Sequence, residues 1–238
     1  MEMELGPRII IRFSNGLFIT ETVCWAVIVA ACMIVFALVS TRNLKRDPRG
    51  LQGVAELIVE YVYKFVNETM GRHNIGFAPF IGTLFFFLIF CNALGLLGQR
   101  AATADMNFTF AMGFMVFFLI QYNSVKSKGL KNYLGHFAKP FVLMIPINII
   151  EELVFPVSLS FRIFGNILAG VIIMELYMDL MYKISINNLH LPIPFFQAVT
   201  PLPINAFFDI FEPFLQAFVF SMLAMAFIAR AIIVHGKE

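Results

Sequence analysis

Long apolar runs, separated by short polar segments, make up most of this chain. About 20 consecutive apolar residues are needed for a helix to cross a hydrocarbon core ~30 Å thick. Runs that meet this requirement predict five membrane-crossing helices, at about 17–40, 77–98, 107–125, 141–182 and 200–234. The fourth run is twice as long as one crossing needs, because about 40 helical residues extend ~60 Å. This run must therefore bend back or lie strongly tilted, and the fifth run is also too long for a perpendicular crossing.

Residues 51–71 show a different pattern, in which apolar residues recur at spacings of three and four: Leu51, Val54, Ile58, Tyr61 and Phe65. Glutamates and an asparagine occupy the other faces. The spacing predicts an amphipathic helix that lies in the membrane interface. A helix on the soluble side, packed on a partner, is the alternative. The expected fold class is an all-α membrane protein, a single membrane domain over residues 1–238 with five crossing helices and one interfacial helix.

The composition agrees with this fold class and excludes several functions. Hydrophobic residues make up 60% of the chain and charged residues 13%, whereas a typical soluble domain has about 25% charged residues. The basic residues are scattered through loops, so we expect no nucleic-acid partner. Cys24, Cys32 and Cys91 lie in apolar runs without metal-ligand spacing, and we interpret them as buried apolar thiols. We expect neither a metal nor a cofactor.

The distribution of lysine and arginine predicts the orientation in the membrane. Twelve of the 17 basic residues fall in residues 41–74, in a loop predicted at 126–140, and at the C-terminus. Four lie in the remaining polar segments and one lies inside an apolar run. Because basic residues prefer cytoplasmic loops, we expect an outside N-terminus and a cytoplasmic C-terminus. No internal repeat is evident, which argues against an inverted-repeat transporter.

The one basic residue inside an apolar run is Arg162. A guanidinium keeps its charge in a protein, and at the bilayer centre it costs about 2.5–3.5 kcal/mol on insertion scales. Glu151, Ser158 and Asn166 fall on nearly the same helical face as Arg162. A second polar stripe lies in the last apolar run, at Asp209, Glu212 and Gln216. Such intramembrane polar residues mark a functional site by default.

The fourth and fifth predicted helices run antiparallel, and we set Gln216 level with Arg162. The carboxylates then divide into a cytoplasmic set and an outer set: Glu151 and Glu152 on one side, and Glu175, Asp179, Asp209 and Glu212 on the other. One interpretation is a permanent buried ion pair between Arg162 and Asp209 or Glu212. The other is a pair of aqueous half-channels lined by titratable groups and kept apart by a fixed positive charge. The second arrangement suits an ion path that must not run straight through the membrane.

The segment 158–170, Ser-Leu-Ser-Phe-Arg-Ile-Phe-Gly-Asn-Ile-Leu-Ala-Gly, closely resembles the signature of subunit a of the F-type ATP synthase in its bacterial form. Residues 146–153 resemble the start of that family's fifth helix, and Gln216-Ala-Phe-Val-Phe resembles the glutamine motif of its last helix. Residues 104–109 resemble its outer loop, and 51–71 resemble its interfacial helix. The resemblance covers nearly the whole chain, in order.

The resemblance implies a non-catalytic stator subunit of a proton- or sodium-translocating ATP synthase in a bacterial inner (plasma) membrane. The expected partners are a ring of c subunits, each with one membrane-buried carboxylate, the peripheral-stalk b subunits and the rest of the ATP synthase. An ion enters by one half-channel, neutralises a ring carboxylate, travels with the ring and leaves by the other half-channel. In this family the last two helices lie strongly tilted against the ring.

The resemblance also implies roles for individual residues. The expected ion-translocation residues are Arg162, Gln216, Asn166, Asp209, Glu175, Glu212, Ser158, Glu151, Glu152 and Asp105. Asp105 matches a carboxylate near the outer mouth, and Asp209 falls where the family has an outer-channel Glu or His. The chain departs from the family nine residues after the arginine, where Val171 replaces the usual Glu or His. We hypothesise that Glu175, one turn further, works with Asp209 instead.

Two other classes of function remain open from the residues themselves. In a self-contained secondary transporter, Arg162 would bind an anionic substrate, and the purified chain alone would catalyse transport. In a structural membrane scaffold, Arg162 would be only a paired charge. Its replacement would then leave coupling intact wherever assembly survives.

Overall fold

The computed structural model describes residues 9–12, 18–42, 44–46, 48–97, 99, 101–137, 142–188 and 195–232, and these are nearly all helical. The α-helices are α1 (Glu21–Thr41), α2 (Leu51–Met70), α3 (Ala78–Ala93), α4 (Met106–Lys128), α5 (Leu130–Phe137), α6 (Ile145–Lys183), α7 (Phe195–Val199), α8 (Pro201–Ala206) and α9 (Glu212–Ile232). Short 3-10 helices span Arg72–Phe77, Leu94–Leu97, Ala102–Ala104 and Val142–Met144, and π-helical turns span Ile184–Asn188 and Phe207–Phe211. Before α1, strands β1 (Ile9–Arg12) and β2 (Phe18–Thr20) form an antiparallel hairpin that the sequence pattern did not predict.

Five helical segments of the described chain are long and apolar enough to cross a membrane. They are Glu21–Thr41, Arg72–Leu97, Met106–Lys128, Ile145–Ile186 and Glu212–Ile232. This confirms the all-α membrane fold class and the prediction of five crossing helices. The core lies among α3, α4, α6 and α9, where Val116, Phe220 and Met225 are fully buried. Helix α1 is peripheral and packs on α3 near Val29 and Cys91.

Helix α6 is a single helix of 39 residues. It does not bend back, so of the two readings of residues 141–182 only a long continuous helix remains. Pro156 lies inside α6 without ending it. The hydroxyl of Ser160 lies 2.7 Å from the carbonyl oxygen of Pro156 and 3.0 Å from that of Thr109 on α4, and it donates to one of them at a time.

Helices α4 and α6 approach closely at Gly113. A Cβ atom at that position would overlap the Ser160 hydroxyl and lie 2.9 Å from the carbonyl oxygen of Pro156. Small residues allow membrane helices to approach in this way. Because Ser160 also bonds the α4 backbone, this contact fixes the position of α6, which carries the functional site.

The last helical segment is interrupted by a π-helical turn at Phe207–Phe211. The N–H of Glu212 donates to the carbonyl of Phe207, five residues earlier, instead of the usual four. The next residue is Pro213, which has no N–H and therefore cannot bond the residue four positions before it. Pro213 thus stands beside a change in the hydrogen-bond register of the helix.

One local prediction needs correction, and another gains detail. The segment 126–140 was predicted as a loop, but residues 130–137 form helix α5. Gly129, with a φ of 76°, ends α4 and permits the turn into α5. In α2, the residues that pack on α3 and α9 are Val62, Val66 and Met70. On the predicted apolar face, Leu51, Val54 and Tyr61 are exposed, while Phe65 packs against the core, and the position of this face in the membrane interface stays a prediction.

Candidate functional site

Arg162 lies near the middle of α6, on a side of the helix that faces away from the rest of the chain. The adjacent residues Leu159, Ser160 and Ile163 are buried against α4 and the core. Their burial fixes the rotation of α6, and it leaves Arg162 exposed. The other members of the predicted stripe, Glu151, Ser158 and Asn166, are exposed as well. The structure therefore places all four on the outward side of α6.

Gln216 on α9 lies directly against α6 at the level of Arg162. Its side chain is only 3% exposed, and its Nε2 donates a hydrogen bond of 3.2 Å to the carbonyl oxygen of Arg162. The glutamine therefore holds the backbone at residue 162 and does not use the guanidinium. Within the described part of the chain, Arg162 makes no ion pair, with Glu212 or any other carboxylate. The side chain of Asp209 lies outside the described residues.

Toward the C-terminal end of α6, a second close contact brings a carboxylate to the helix. Gly170 is buried, and a Cβ atom there would lie 2.9 Å from the Phe208 ring and 3.4 Å from Oε2 of Glu212. Glu212 is half-buried at this contact. Glu175 is exposed, and Val171, at the position where the family resemblance led us to expect a titratable residue, is an exposed apolar side chain.

The remaining outer carboxylates are used locally. Asp105 is buried and caps helix α4, because its carboxylate accepts a hydrogen bond of 2.9 Å from the N–H of Asn107. Asp179 pairs with Lys183 at 2.5 Å, and both side chains are exposed. Neither carboxylate is brought next to Arg162 by a contact within the described residues.

At the opposite end of α6, Glu152 belongs to a polar cluster that the sequence pattern missed. Gln121 of α4 donates from Nε2 to Oε2 of Glu152 at 2.5 Å. The hydroxyl of Tyr133 on α5 lies 2.6 Å from Oε1 of Gln121 and 3.4 Å from Oε2 of Glu152. The cluster joins three helices. No motif signalled it, because Gln121 and Tyr133 are 31 and 19 residues from Glu152 along the chain.

The cluster changes the titration of Tyr133. Burial, together with the charge of Glu152 and its hydrogen bond, raises the pKa of Tyr133 to about 12 from an ordinary value of 10.0. Since the folded state holds the proton more tightly than the unfolded state, this contribution to stability is complete below pH 10. It is lost as the pH rises from 10 to 12.

We therefore expect thermal stability of the detergent-solubilised protein to fall less steeply above pH 9.5 in Tyr133→Phe than in the unchanged chain. At pH 7 the same variant should be destabilised by about 0.5–1.5 kcal/mol, because it loses the hydroxyl's hydrogen bond. Unfolding curves recorded between pH 7 and 11 measure both effects. Tyr122→Phe, which alters an exposed tyrosine on α4, is the control. Parallel pH profiles for Tyr133→Phe and the unchanged chain would contradict this prediction.

The fold and the site together define a class of protein. It is a multi-pass helical membrane protein that presents an arginine on the outside of its longest helix. Polar and acidic residues lie on both sides of that arginine along the helix. The arginine has no ion-pair partner among the described residues of its own chain, so the site is suited to a charged group supplied from elsewhere.

Comparison with known proteins identifies the family. The sequence profile of the ATP synthase A chain matches residues 23–229. ATP synthase subunit a of Desulforamulus reducens is 35% identical over 234 residues, which cover 97% of this chain and 81% of the relative. The Moorella thermoacetica and Lysinibacillus sphaericus proteins of the same name are each 32% identical, over 92% and 90% of this chain and 92% of each relative. The chain belongs to the ATP synthase subunit a family.

This membership carries several consequences. Subunit a is the ion-translocating stator subunit of the membrane sector, CF(0), and it works in a complex with the rest of the ATP synthase. The bacterial relatives and the apolar helices make this a multi-pass membrane protein. The alternative of a self-contained secondary transporter is not favoured by these comparisons.

Proposed function

We propose that this chain forms two aqueous half-channels against a ring of c subunits, and that it couples the flow of protons or sodium ions to rotation of that ring. Arg162 faces the ring and separates the half-channels. Each ion that crosses delivers about 2.3 kcal/mol per charge per 100 mV of membrane potential. The chain itself catalyses no covalent step, since ATP is made elsewhere in the complex.

The observation that carries this proposal is that Arg162 is exposed and makes no ion pair with any residue that the structure describes. A charge in an apolar environment is costly unless a partner or water meets it. Here the chain holds the Arg162 backbone through Gln216, yet the residue is exposed. A ring carboxylate that comes within about 4–6 Å of it would have its pKa lowered by 1–3 units. Arg162 would thereby favour release of the ion from each carboxylate as it passes.

The other polar residues line the paths to this point. We assign Glu151, Glu152 and Ser158 to the half-channel that opens to the cytoplasm, where the Gln121–Tyr133 cluster holds Glu152 in place. The outer half-channel contains Asn166, Glu175, Asp209 and Glu212, and Asp105 lies near its mouth. This assignment places the N-terminus outside and the C-terminus in the cytoplasm.

The geometry of the long helices supports the same arrangement. A helix of 39 residues is about 58 Å long. It must tilt by about 60° from the membrane normal to remain within a core ~30 Å thick. A helix at this tilt lies across several ring subunits. Helix α2, with its exposed apolar face, lies in the interface, and the b subunits bind to the lipid-facing side of the stator.

Side-specific labelling tests the half-channels directly. Single cysteines would be placed at Ser158 and Glu175 of this chain, after its three native cysteines are replaced by alanine. We expect a membrane-impermeant maleimide to reach residue 158 only from the cytoplasmic side and residue 175 only from the outer side. Labelling is measured in inverted and right-side-out vesicles that contain the complete ATP synthase.

Leu176, an exposed apolar residue next to Glu175, provides the matched control. A cysteine there should face lipid and react slowly from both sides. Equal labelling of residues 158 and 175 from one side would mean a single continuous path and would refute the two half-channels. The dependence of ATP hydrolysis on sodium concentration separates sodium from protons as the transported ion.

A further inference from the structure

On the outer side of Arg162, a carboxylate of α9 approaches α6. Oε2 of Glu212 lies 3.4 Å from the point that a Cβ atom of Gly170 would occupy. Gly170 is eight residues after Arg162, about 12 Å further along the helix axis. Glu212 is one turn before Gln216, which contacts Arg162. The two helices therefore bring this carboxylate to the site through two neighbouring contacts.

The direction of the side chain explains how Glu212 reaches Gly170. One helical turn separates Glu212 from Gln216, which is only about 6 Å along α9. Side chains lean toward the N-terminus of their helix. The helices are antiparallel, so the N-terminal direction of α9 is the direction in which α6 runs from Arg162 to Gly170. The Glu212 side chain, by leaning in this direction, covers the remaining axial distance to Gly170.

Glycine at position 170 is needed for this contact. Any larger residue would meet the ring of Phe208 at 2.9 Å, and Phe208 belongs to the π-helical turn that precedes Glu212. That turn, next to Pro213, sets the rotation at which α9 begins. Gly170, Phe208 and Glu212 thus form one packed unit that holds a carboxylate beside the long helix.

Glu175 is less well placed to pass an ion to the ring at Arg162. At about 100° per residue, Gly170 lies about 80° around α6 from Arg162, whereas Glu175 lies about 140° around in the other direction. Glu175 is also about 7.5 Å further along the axis than Gly170. An ion that moves inward from Glu175 would therefore need another group before it reached the face of Arg162.

We propose that Glu212 is this group, the last ion-binding carboxylate of the outer half-channel before the ring. The inference rests on the proposed function of the chain. Glu212 would take up a proton or a sodium ion from the outer part of the path, and pass it to the ring carboxylate near Asn166 and Arg162. The chemistry is ion transfer between carboxylates, and no covalent bond other than that to the proton is formed or broken.

The test compares three variants of the complete ATP synthase in inverted vesicles: Glu212→Gln, Glu212→Asp and Glu60→Gln. ATP-driven uptake of protons, and of sodium ions in parallel, is normalised to the amount of assembled complex. We expect Glu212→Gln to lower the rate at least about tenfold, since a positioned proton-transfer group contributes 10²–10⁴-fold. Glu212→Asp should keep about a third of the rate or more. Glu60→Gln, which neutralises an exposed carboxylate on α2, is the control and should stay within about twofold of the unchanged complex.

Two outcomes would overturn the inference. One is a Glu212→Gln rate within about twofold of the unchanged complex. The other is an equal loss in Glu212→Asp and Glu212→Gln, which would indicate packing at Gly170 as the role. If Glu212→Gln does not assemble, Glu212→Ser is compared with Glu212→Asp by the same criteria. Arg162→Gln, measured alongside, separates failure of the proposed function from failure of this inference. Retained pumping in Arg162→Gln would refute the proposed function. Loss of pumping in Arg162→Gln together with a normal rate in Glu212→Gln would refute only the role of Glu212.

Discussion

Replacement of Arg162 by alanine is expected to abolish coupled ATP synthesis while the complex still assembles. The guanidinium stabilises the ionised form of each ring carboxylate, an effect worth about 1–3 pKa units and therefore 10- to 1,000-fold in the ionisation equilibrium. Without it the ring carboxylate would retain its ion, and ions could leak between the half-channels. ATP synthesis driven by an imposed ion gradient in vesicles measures the loss, and co-purification with the c subunits measures assembly.

Two further variants make this result specific to the charge at this position. Arg162→Lys keeps a charge, but an ammonium gives up its proton more easily than a guanidinium in an apolar site, so coupling should be low but measurable. Arg230→Ala removes an exposed arginine from the last turn of α9 and should leave coupling unchanged. Retained coupling in an assembled Arg162→Ala complex would support a scaffold role, in which Arg162 is a merely structural charge.

Gly113→Ala is expected to weaken the packing of α4 on α6 and to reduce the amount of assembled subunit. The new methyl group would overlap the Ser160 hydroxyl and lie 2.9 Å from the backbone carbonyl of Pro156. The hydroxyl can rotate or shift, but the carbonyl belongs to the helix itself. Overpacking of this kind costs about 1–3 kcal/mol. The temperature at which the solubilised complex loses this subunit measures the effect.

Gly165→Ala is a matched control for that experiment. Gly165 is also a helical glycine, on α6, yet nothing lies within 4 Å of the point where its Cβ would stand. Alanine there should be neutral, or stabilise by about 0.5–1 kcal/mol through its better helix propensity. Equal stability of the two variants would show that the approach of α4 and α6 at Gly113 does not limit the fold.

The sequence predicts the membrane fold because the bilayer imposes a simple rule on it. A crossing helix needs about 20 apolar residues, and the five runs show this without any tertiary information. The unusual polar residues are equally visible, since a charge such as Arg162 stands out in an apolar run. With the last two crossing helices antiparallel, we set Gln216 level with Arg162, and the structure has it bonded to the Arg162 backbone.

Contacts between distant segments could not be predicted in this way. Gln121 and Tyr133 are ordinary polar residues until the fold brings them to Glu152. The spacing of apolar residues in α2 identified a helix, but it did not distinguish the face that meets the chain, at Val62, from the face that meets the surroundings. The approach of Glu212 to Gly170 depends on a π-helical turn, and no local propensity specifies the rotation that such a turn introduces.

The bond from Gln216 to Arg162 ends on a backbone carbonyl, which every amino acid possesses. Any residue at position 162 can therefore keep the same junction between α6 and α9. The framework and the charge are independent parts of this site, so the charge can be removed, shortened or exchanged while the junction stays in place. In this chain the effect of the Arg162 charge can therefore be measured separately from the packing of α6 on α9.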